Sequence, residues 1–295
     1  MSGGDVLTVT LVLDGLDAGQ AEDTCFAAGA IAVSYSDTRD DPIFEPAPGE
    51  FRLWPAPRLQ ATFSADGDAN LLRLVLSAAL QIDPARLEFA LLAERAWERE
   101  WLKDFRPMRF GQRLWVCPTH DEVAANDAVV LKLDPGLAFG TGTHPTTRLC
   151  LEWLDAHAPH GLAVIDYGCG SGILALAALR LGASHAWCHD IDPQALTATL
   201  ANAQTNGLQG GVSLVSDACD LPPQVDLLLA NILSGPLREL APTLAARVRP
   251  KGCIVLAGLL SEQSAEVTAA YAPWFNMQPR GERDGWVCIA GERSG

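Results

Sequence analysis

The chain has 295 residues, of which 48% are hydrophobic and 19% charged, and this composition suits two packed cores and disfavours intrinsic disorder. The formal net charge of −15 disfavours binding to the phosphates of DNA or RNA. An acidic surface is complementary to a basic partner. It is equally expected if the charge serves only to keep the protein soluble.

Residues 1–93 alternate between strand and helix patterns in the order β-α-β-β-α-β, the split βαβ or ferredoxin-like arrangement of a small α+β domain. The strand patterns cover residues 7–14, 31–38, 59–65 and 86–93, and the helix patterns cover 21–30 and 69–80. The first strand lacks aromatic residues, and residues 1–95 contain fifteen acidic residues, six arginines and no lysine. An RNA-binding sheet needs stacking aromatics and a basic face, so a module that binds a basic protein is favoured.

Residues 94–111, ERAWEREWLKDFRPMRFG, are charged and aromatic. They predict a linker whose first part is a helix, which Pro107 terminates. Trp97 and Trp101 lie four residues apart and share one helix face. Packing against a neighbouring domain is favoured over a ligand cage for this pair.

Residues 112–295 alternate strands with helices, which predicts an α/β domain with a parallel sheet. Asp192 suits the N-cap of one helix and Pro193 its first position. A terminal hairpin is expected over 275–292. Strand patterns cover 113–118, 128–135, 163–168, 186–192, 212–217, 225–233 and 253–260, and helix patterns cover 146–157, 171–183, 193–207, 235–248 and 261–272.

The eight cysteines form no CxxC pair and lie mostly in apolar patterns, which predicts buried free thiols in a reducing cytoplasm and no metal site. The N-terminal MSGGDVLTVT lacks the features of a signal peptide, and no apolar run approaches the roughly 18 residues of a membrane span. We therefore expect a cytoplasmic protein that binds neither membranes nor nucleic acid directly.

Residues 164–174, VIDYGCGSGIL, place three glycines after a strand, as in nucleotide-binding turns. A phosphate-binding Walker loop needs a lysine that is missing here. The dinucleotide fingerprint needs a third glycine where Ile173 stands. The remaining pattern, Asp166-x-Gly168-x-Gly170-x-Gly172, resembles the first motif of the Rossmann-like methyltransferases that use S-adenosylmethionine. Glycines let the backbone approach such a ligand, and the acid can orient its amino-acid end through the turn.

A second acid should follow the next strand and accept hydrogen bonds from the ribose. Asp190 lies eighteen residues after Gly172 in the segment HDIDP. Asp192 is its competitor, but its place before Pro193 makes it the better helix cap, so Asp190 is assigned to the ribose. Asp217, after the third strand, is a possible adenine contact or only a turn residue.

Longer stretches indicate which methyltransferases the chain resembles. They are LDPGLAFGTGTHPTTRLCLEWL (133–154), HDIDPQAL, LLLANILSGPL (227–237), DTRDDPIFEPAPGE and WEREWLKDFRPMRFGQRLWVCP. Together they resemble the bacterial methyltransferases of large-subunit ribosomal protein L11, the PrmA family, over nearly the whole chain. The resemblance implies a substrate-recognition domain at 1–93, a mobile linker at 94–111 and a class I catalytic domain at 112–295. It also implies successive methylation of lysine amines and of the N-terminal amine of that ribosomal protein.

The resemblance places contacts to S-adenosylmethionine at Thr147, Gly168, Asp190 and Asn231, with Gly170 in the same loop. Thr147 lies in the first turn of a helix, where its hydroxyl can donate to the methionine carboxylate. Two further residues have open roles: Thr146 caps the helix or touches the ligand, and Phe139 covers the ligand or belongs to the core.

Asn231 is also the candidate for positioning the amine that is methylated. Enzymes that act on planar nitrogens often carry two prolines and an aromatic after this asparagine, whereas Ile-Leu-Ser follows here, which leaves room for a flexible alkyl amine. In-line displacement then needs a positioned, neutral amine more than covalent chemistry. His144 is the nearest candidate for a general base, but a loop residue is the favoured interpretation. The alternatives are a methyltransferase of a small-molecule amine or of another basic protein, a non-catalytic adaptor and a nicotinamide dehydrogenase.

Overall fold

The computed structural model describes residues 6–38, 54, 56–92, 106–123, 125, 127–133 and 142–295. Contacts divide the chain into two units, residues 1–97 and 98–295. Phe139, Trp97, Trp101 and the helical start predicted for the linker lie outside the described residues, and the finer division at 93/94 and 111/112 stays a prediction.

In its described residues, the small unit is an antiparallel four-stranded sheet with two α-helices, as the β-α-β-β-α-β pattern predicts. Its strands follow the order β2-β3-β1-β4. Asp17 and Asp68 accept backbone N–H bonds at the starts of the two helices, which explains where each helix begins. The elements are β1 (Val6–Val12), α1 (Ala18–Ala27), β2 (Ala32–Asp37), β3 (Pro57–Ser64), α2 (Ala69–Leu80) and β4 (Glu88–Leu92).

The large unit opens with a separate sheet of three short strands, β5 (Met108–Phe110), β6 (Leu114–Cys117) and β7 (Val129–Lys132). β5 pairs with β6, so the last residues of the predicted linker are part of this unit. Asp155 fixes the β5–β6 turn, because its buried carboxylate accepts N–H bonds from Gln112, Arg113 and Leu114.

The main sheet has seven strands in the order β10-β9-β8-β11-β12-β14-β13. The first five are mutually parallel and the last two form the antiparallel terminal hairpin, which confirms the predicted fold class. The elements are α3 (Pro145–Ala156), β8 (Ala163–Tyr167), α4 (Ile173–Arg180), β9 (His185–His189), α5 (Pro193–Thr205), β10 (Val212–Val215), β11 (Val225–Asn231), α6 (Ser234–Glu239), α7 (Ala241–Ala246), β12 (Val248–Leu260), α8 (Ser264–Tyr271), β13 (Phe275–Arg283) and β14 (Trp286–Arg293).

The prediction of one helix over 235–248 is wrong, because α6 ends and α7 begins around Leu240. Pro242 explains the break: it has no N–H to donate to the carbonyl of Arg238, and a proline fits only the first turn of a helix.

Both faces of the central strands are buried. Val164 of β8 packs into one core cluster and Ile165 into the other, as expected for a parallel sheet covered by helices. The strand order reverses beside β8, since β9 and β10 lie on one side and β11 on the other. Ligands of open parallel sheets bind at the carboxyl ends of the strands at such a switch point.

Candidate active site

The glycine-rich loop connects β8 to α4 at the switch point. Gly168, Gly170 and Gly172 have φ angles of +75°, +53° and +78°, a region that side-chain-bearing residues rarely adopt. A Cβ atom on Gly168 would collide with the side chain of Ile232, and one on Gly172 would lie 2.7 Å from Cγ2 of Thr199. Backbone conformation and close packing therefore both require glycine at these two positions.

Asp166 stabilises the junction between the glycine-rich loop and α4. Its side chain is buried, and Oδ2 accepts the backbone N–H of Ala175 at 2.9 Å in the first turn of α4. This bond supplies a helix cap that Gly172 has no side chain to provide. Burial raises the pKa of Asp166 to about 7, the Ala175 bond opposes the rise, and the charge of Asp190 adds to it.

Asp190 lies beside the loop at the end of β9 and is half-buried. Its Oδ2 accepts the N–H of Gly170 at 2.9 Å, and its Oδ1 accepts the N–H of Asp192 at 3.0 Å. A carboxylate oxygen can accept two hydrogen bonds, so each oxygen keeps an acceptor direction for a ribose hydroxyl. Asp192 caps α5 by accepting from Gln194 at 2.8 Å, as its place before Pro193 predicts.

Two residues of α5 that the sequence reasoning missed tie the loop down. Thr199 donates from Oγ1 to the carbonyl of Gly170 at 3.0 Å, and Asn202 donates from Nδ2 to the carbonyl of Ser171 at 2.9 Å. Their signal is weak, because a polar residue within a helix is ordinary until its neighbour in space is known.

Thr147 and Asn231, 84 residues apart, meet in space. Asn231 Nδ2 donates to Thr147 Oγ1 at 3.2 Å, which joins the first turn of α3 to the end of β11. Because the threonine oxygen accepts here, its own proton remains available for a carboxylate. The Asn231 carbonyl oxygen remains available to accept from an amine.

His144 lies three residues before Thr147 and contacts Trp286. His144 is the N-cap of α3, and its Nδ1 lies 2.8 Å from Oγ1 of the buried Thr146. Its ring meets the ring of Trp286 edge to face at 5.0 Å. Burial lowers the pKa of His144 and so favours its neutral imidazole. Trp286 carries no sequence signal, because it reaches His144 from the terminal hairpin.

Asp217 forms a turn in the structure, and its contact with adenine stays a prediction. It lies exposed after β10 and accepts the N–H of Cys219 at 2.8 Å. Among the described residues, no group of three or more His, Cys, Asp or Glu side chains could hold a metal ion, and no helix among them is long and apolar enough to cross a membrane.

A comparison with known protein families agrees with this geometry. The family model described as "Ribosomal protein L11 methyltransferase (PrmA)" matches residues 6–294. The chain belongs to this family. It is therefore a protein methyltransferase that uses S-adenosylmethionine.

Curated PrmA-family relatives match over nearly their full length. A protein of Pseudomonas aeruginosa (strain PAO1) named "Ribosomal protein L11 methyltransferase" is 49% identical over 288 residues, which cover 97% of this chain and 98% of that protein. A protein of the same name from Methylococcus capsulatus is 50% identical over 273 residues, with 92% and 93% covered. The crystal structure of a ribosomal protein L11 methylase from Lactobacillus delbrueckii subsp. bulgaricus is 30% identical with a TM-score of 0.60, and the match covers 65% of this chain and all of that one.

The residues present fit the cofactor of the PrmA family. A Cβ on Gly168 would collide with Ile232, Asp190 keeps two acceptor directions, and Thr147 keeps a donor. Gly168 packs beside Ile232, the neighbour of Asn231, so the predicted contacts share one edge of the sheet. Their individual roles remain predictions.

Proposed function

We propose that this chain methylates lysine side-chain amines, and the N-terminal amine, of ribosomal protein L11. The observation that carries the proposal is the Asn231–Thr147 hydrogen bond, which places an amide acceptor beside the predicted carboxylate site. The names of the relatives supply the substrate.

Different residues would bind the different parts of S-adenosylmethionine. The backbone of Gly168 and Gly170 would accommodate the methionyl part, Asp190 would accept from the ribose hydroxyls, and Thr147 would donate to the carboxylate at the start of α3. When bound, the cofactor supplies a methyl group on a positively charged sulfur.

The chain's contribution to transfer is to hold a neutral amine in line with that methyl group. A lysine has a reference pKa of about 10.4 and must lose its proton before its nitrogen can attack. Removal of the amine from water on binding disfavours its charged form. The carbonyl oxygen of Asn231 would then accept from the neutral amine and orient its lone pair.

His144 is assigned a positioning role in this scheme. Its Nδ1 is engaged with Thr146, directly before Thr147, so the ring holds the start of α3. No side chain is needed as a general base if the amine loses its proton to solvent before it is bound.

The proposal also assigns a role in substrate recognition to the small, acidic unit. We assign residues 1–93 to substrate recognition, 94–111 to a linker and 112–295 to catalysis, in a cytoplasmic enzyme that binds no nucleic acid directly. The excess of acidic residues in the small unit suits a basic protein substrate. Neither the non-catalytic adaptor nor the small-molecule amine methyltransferase is favoured, because the predicted cofactor residues are present and a small substrate needs no separate domain.

The test is the intact mass of purified ribosomal protein L11, taken from a strain without this activity and incubated with this chain and S-adenosylmethionine. Additions in multiples of one methyl group, reduced with Asp190→Ala at a cofactor concentration that does not saturate the variant, would support the proposal, and peptide mapping would name the amines. No addition by a chain that still binds the cofactor would overturn the proposed substrate.

A further inference from the structure

The small unit carries most of the large apolar side chains that are exposed among the described residues. Monomeric soluble proteins rarely expose such groups as a contiguous patch unless the patch binds something. The exposed fractions are 46% for Phe26, 65% for Ile31, 60% for Leu71, 63% for Leu74, 45% for Val75 and 62% for Leu91.

Part of this surface forms a groove. A cavity of about 270 Å³ lies between the end of α1, the end of β3 and the first turns of α2. Phe63 lines it from the sheet, and Leu71 and Val75 line it from the helix. Leu74 follows Leu71 at i+3 and extends the same face of α2. The apolar face therefore continues from the groove along the helix.

The surroundings of the groove are acidic. Asp68 lines it, and Asp66 is exposed two residues earlier in the same turn. Two nearby arginines are turned to backbone carbonyls: Arg73 donates to Pro84 and Leu87, and Arg86 donates to Val12 and Asp14. Residues 1–95 contain no lysine. An apolar groove with acidic surroundings is complementary to an apolar side chain flanked by basic residues.

We propose that this groove, lined by Phe63, Leu71 and Val75 and continued by Leu74, docks an apolar anchor of a basic segment of the protein substrate. The proposal rests on the proposed function and specifies the surface used. The cavity is smaller than the roughly 300–1,000 Å³ of small-molecule sites, and it suits one or two anchor side chains of a protein. Because these residues belong to the small unit, docking strengthens substrate binding and leaves the chemical step unchanged.

The test is steady-state methylation of ribosomal protein L11 by the double variant Leu71→Ser/Leu74→Ser of the full chain. Both side chains are more than half exposed, so the fold should persist. We expect the KM for ribosomal protein L11 to rise about tenfold or more, as for loss of an interface anchor, with kcat and cofactor affinity unchanged. Val12→Ser is the matched control, since Val12 is 40% exposed at the far end of β1.

Other outcomes distinguish the alternatives. An unchanged KM overturns the docking site while the wild type still methylates the ribosomal protein, so the proposed function survives. A wild-type dimer that the variant loses with unchanged KM means that a second copy covers the groove, which overturns the proposal. A wild type that neither binds nor methylates ribosomal protein L11 refutes the proposed function itself.

Discussion

At the scale of single residues, the two aspartates after β9 have separate tasks. Asp190 faces the glycine loop and Asp192 caps α5. We expect Asp190→Ala to lower the affinity for S-adenosylmethionine by ~10- to 100-fold, since a hydrogen bond to a charged group contributes about 1.5–3 kcal/mol and 1.4 kcal/mol is about tenfold. Isothermal titration calorimetry measures the loss.

Asp192→Ala is the control for that substitution. It should cost about 1 kcal/mol of stability through the lost cap and leave the affinity for S-adenosylmethionine within a few-fold of the wild type. Equal losses of affinity in the two variants would show that the ribose contact has been assigned to the wrong residue.

Asp166 should give the folded protein a characteristic dependence on pH. Burial raises its pKa from 3.8 to about 7, so the folded state binds the proton more tightly than the unfolded state does. The stability of the wild type relative to Asp166→Asn should therefore fall as pH rises from about 4 to about 7 and stay level above that. Urea unfolding of both proteins across this range measures the difference, and parallel profiles would contradict the assignment.

At the scale of elements, the carboxylate of Asp155 joins α3 to the small sheet β5-β6-β7. It is buried and accepts three consecutive backbone N–H groups. Asp155→Ala should lower the free energy of unfolding by about 3 kcal/mol, because three N–H groups, of which that of Leu114 is buried, lose a charged acceptor. Glu152→Ala, three residues earlier on α3, removes only partly exposed ion pairs and should cost under about 1 kcal/mol. Chemical denaturation compares the two variants.

Elements with local signals could be predicted from the sequence. The glycine loop, the Asp192 cap and the alternation of strands each depend on neighbours in the chain, and the structure contains them where the pattern placed them. Trp286, Thr199 and Asn202 could not be assigned to the site, since their partners lie far away in sequence. The break between α6 and α7 was missed because the apolar periodicity continues through Pro242.

At the scale of the whole molecule, the proposed division of labour predicts how fragments behave. β5 pairs with β6, so a catalytic fragment must include residues before the predicted boundary at 112. A fragment of residues 106–295 should bind S-adenosylmethionine as the full chain does, because the predicted cofactor residues all lie within it. It should not methylate ribosomal protein L11 at substrate concentrations that saturate the full chain, since the docking surface is absent.

A shorter fragment, residues 112–295, separates stability from recognition. It lacks β5, including the fully buried Phe110, and should unfold at a lower temperature than the 106–295 fragment, because losing a buried aromatic side chain costs about 3–5 kcal/mol. Full methylation activity in the 106–295 fragment would refute a recognition role for the small unit. Equal thermal stability of the two fragments would instead show that β5 adds little to the core, and the domain boundary at 112 would then stand.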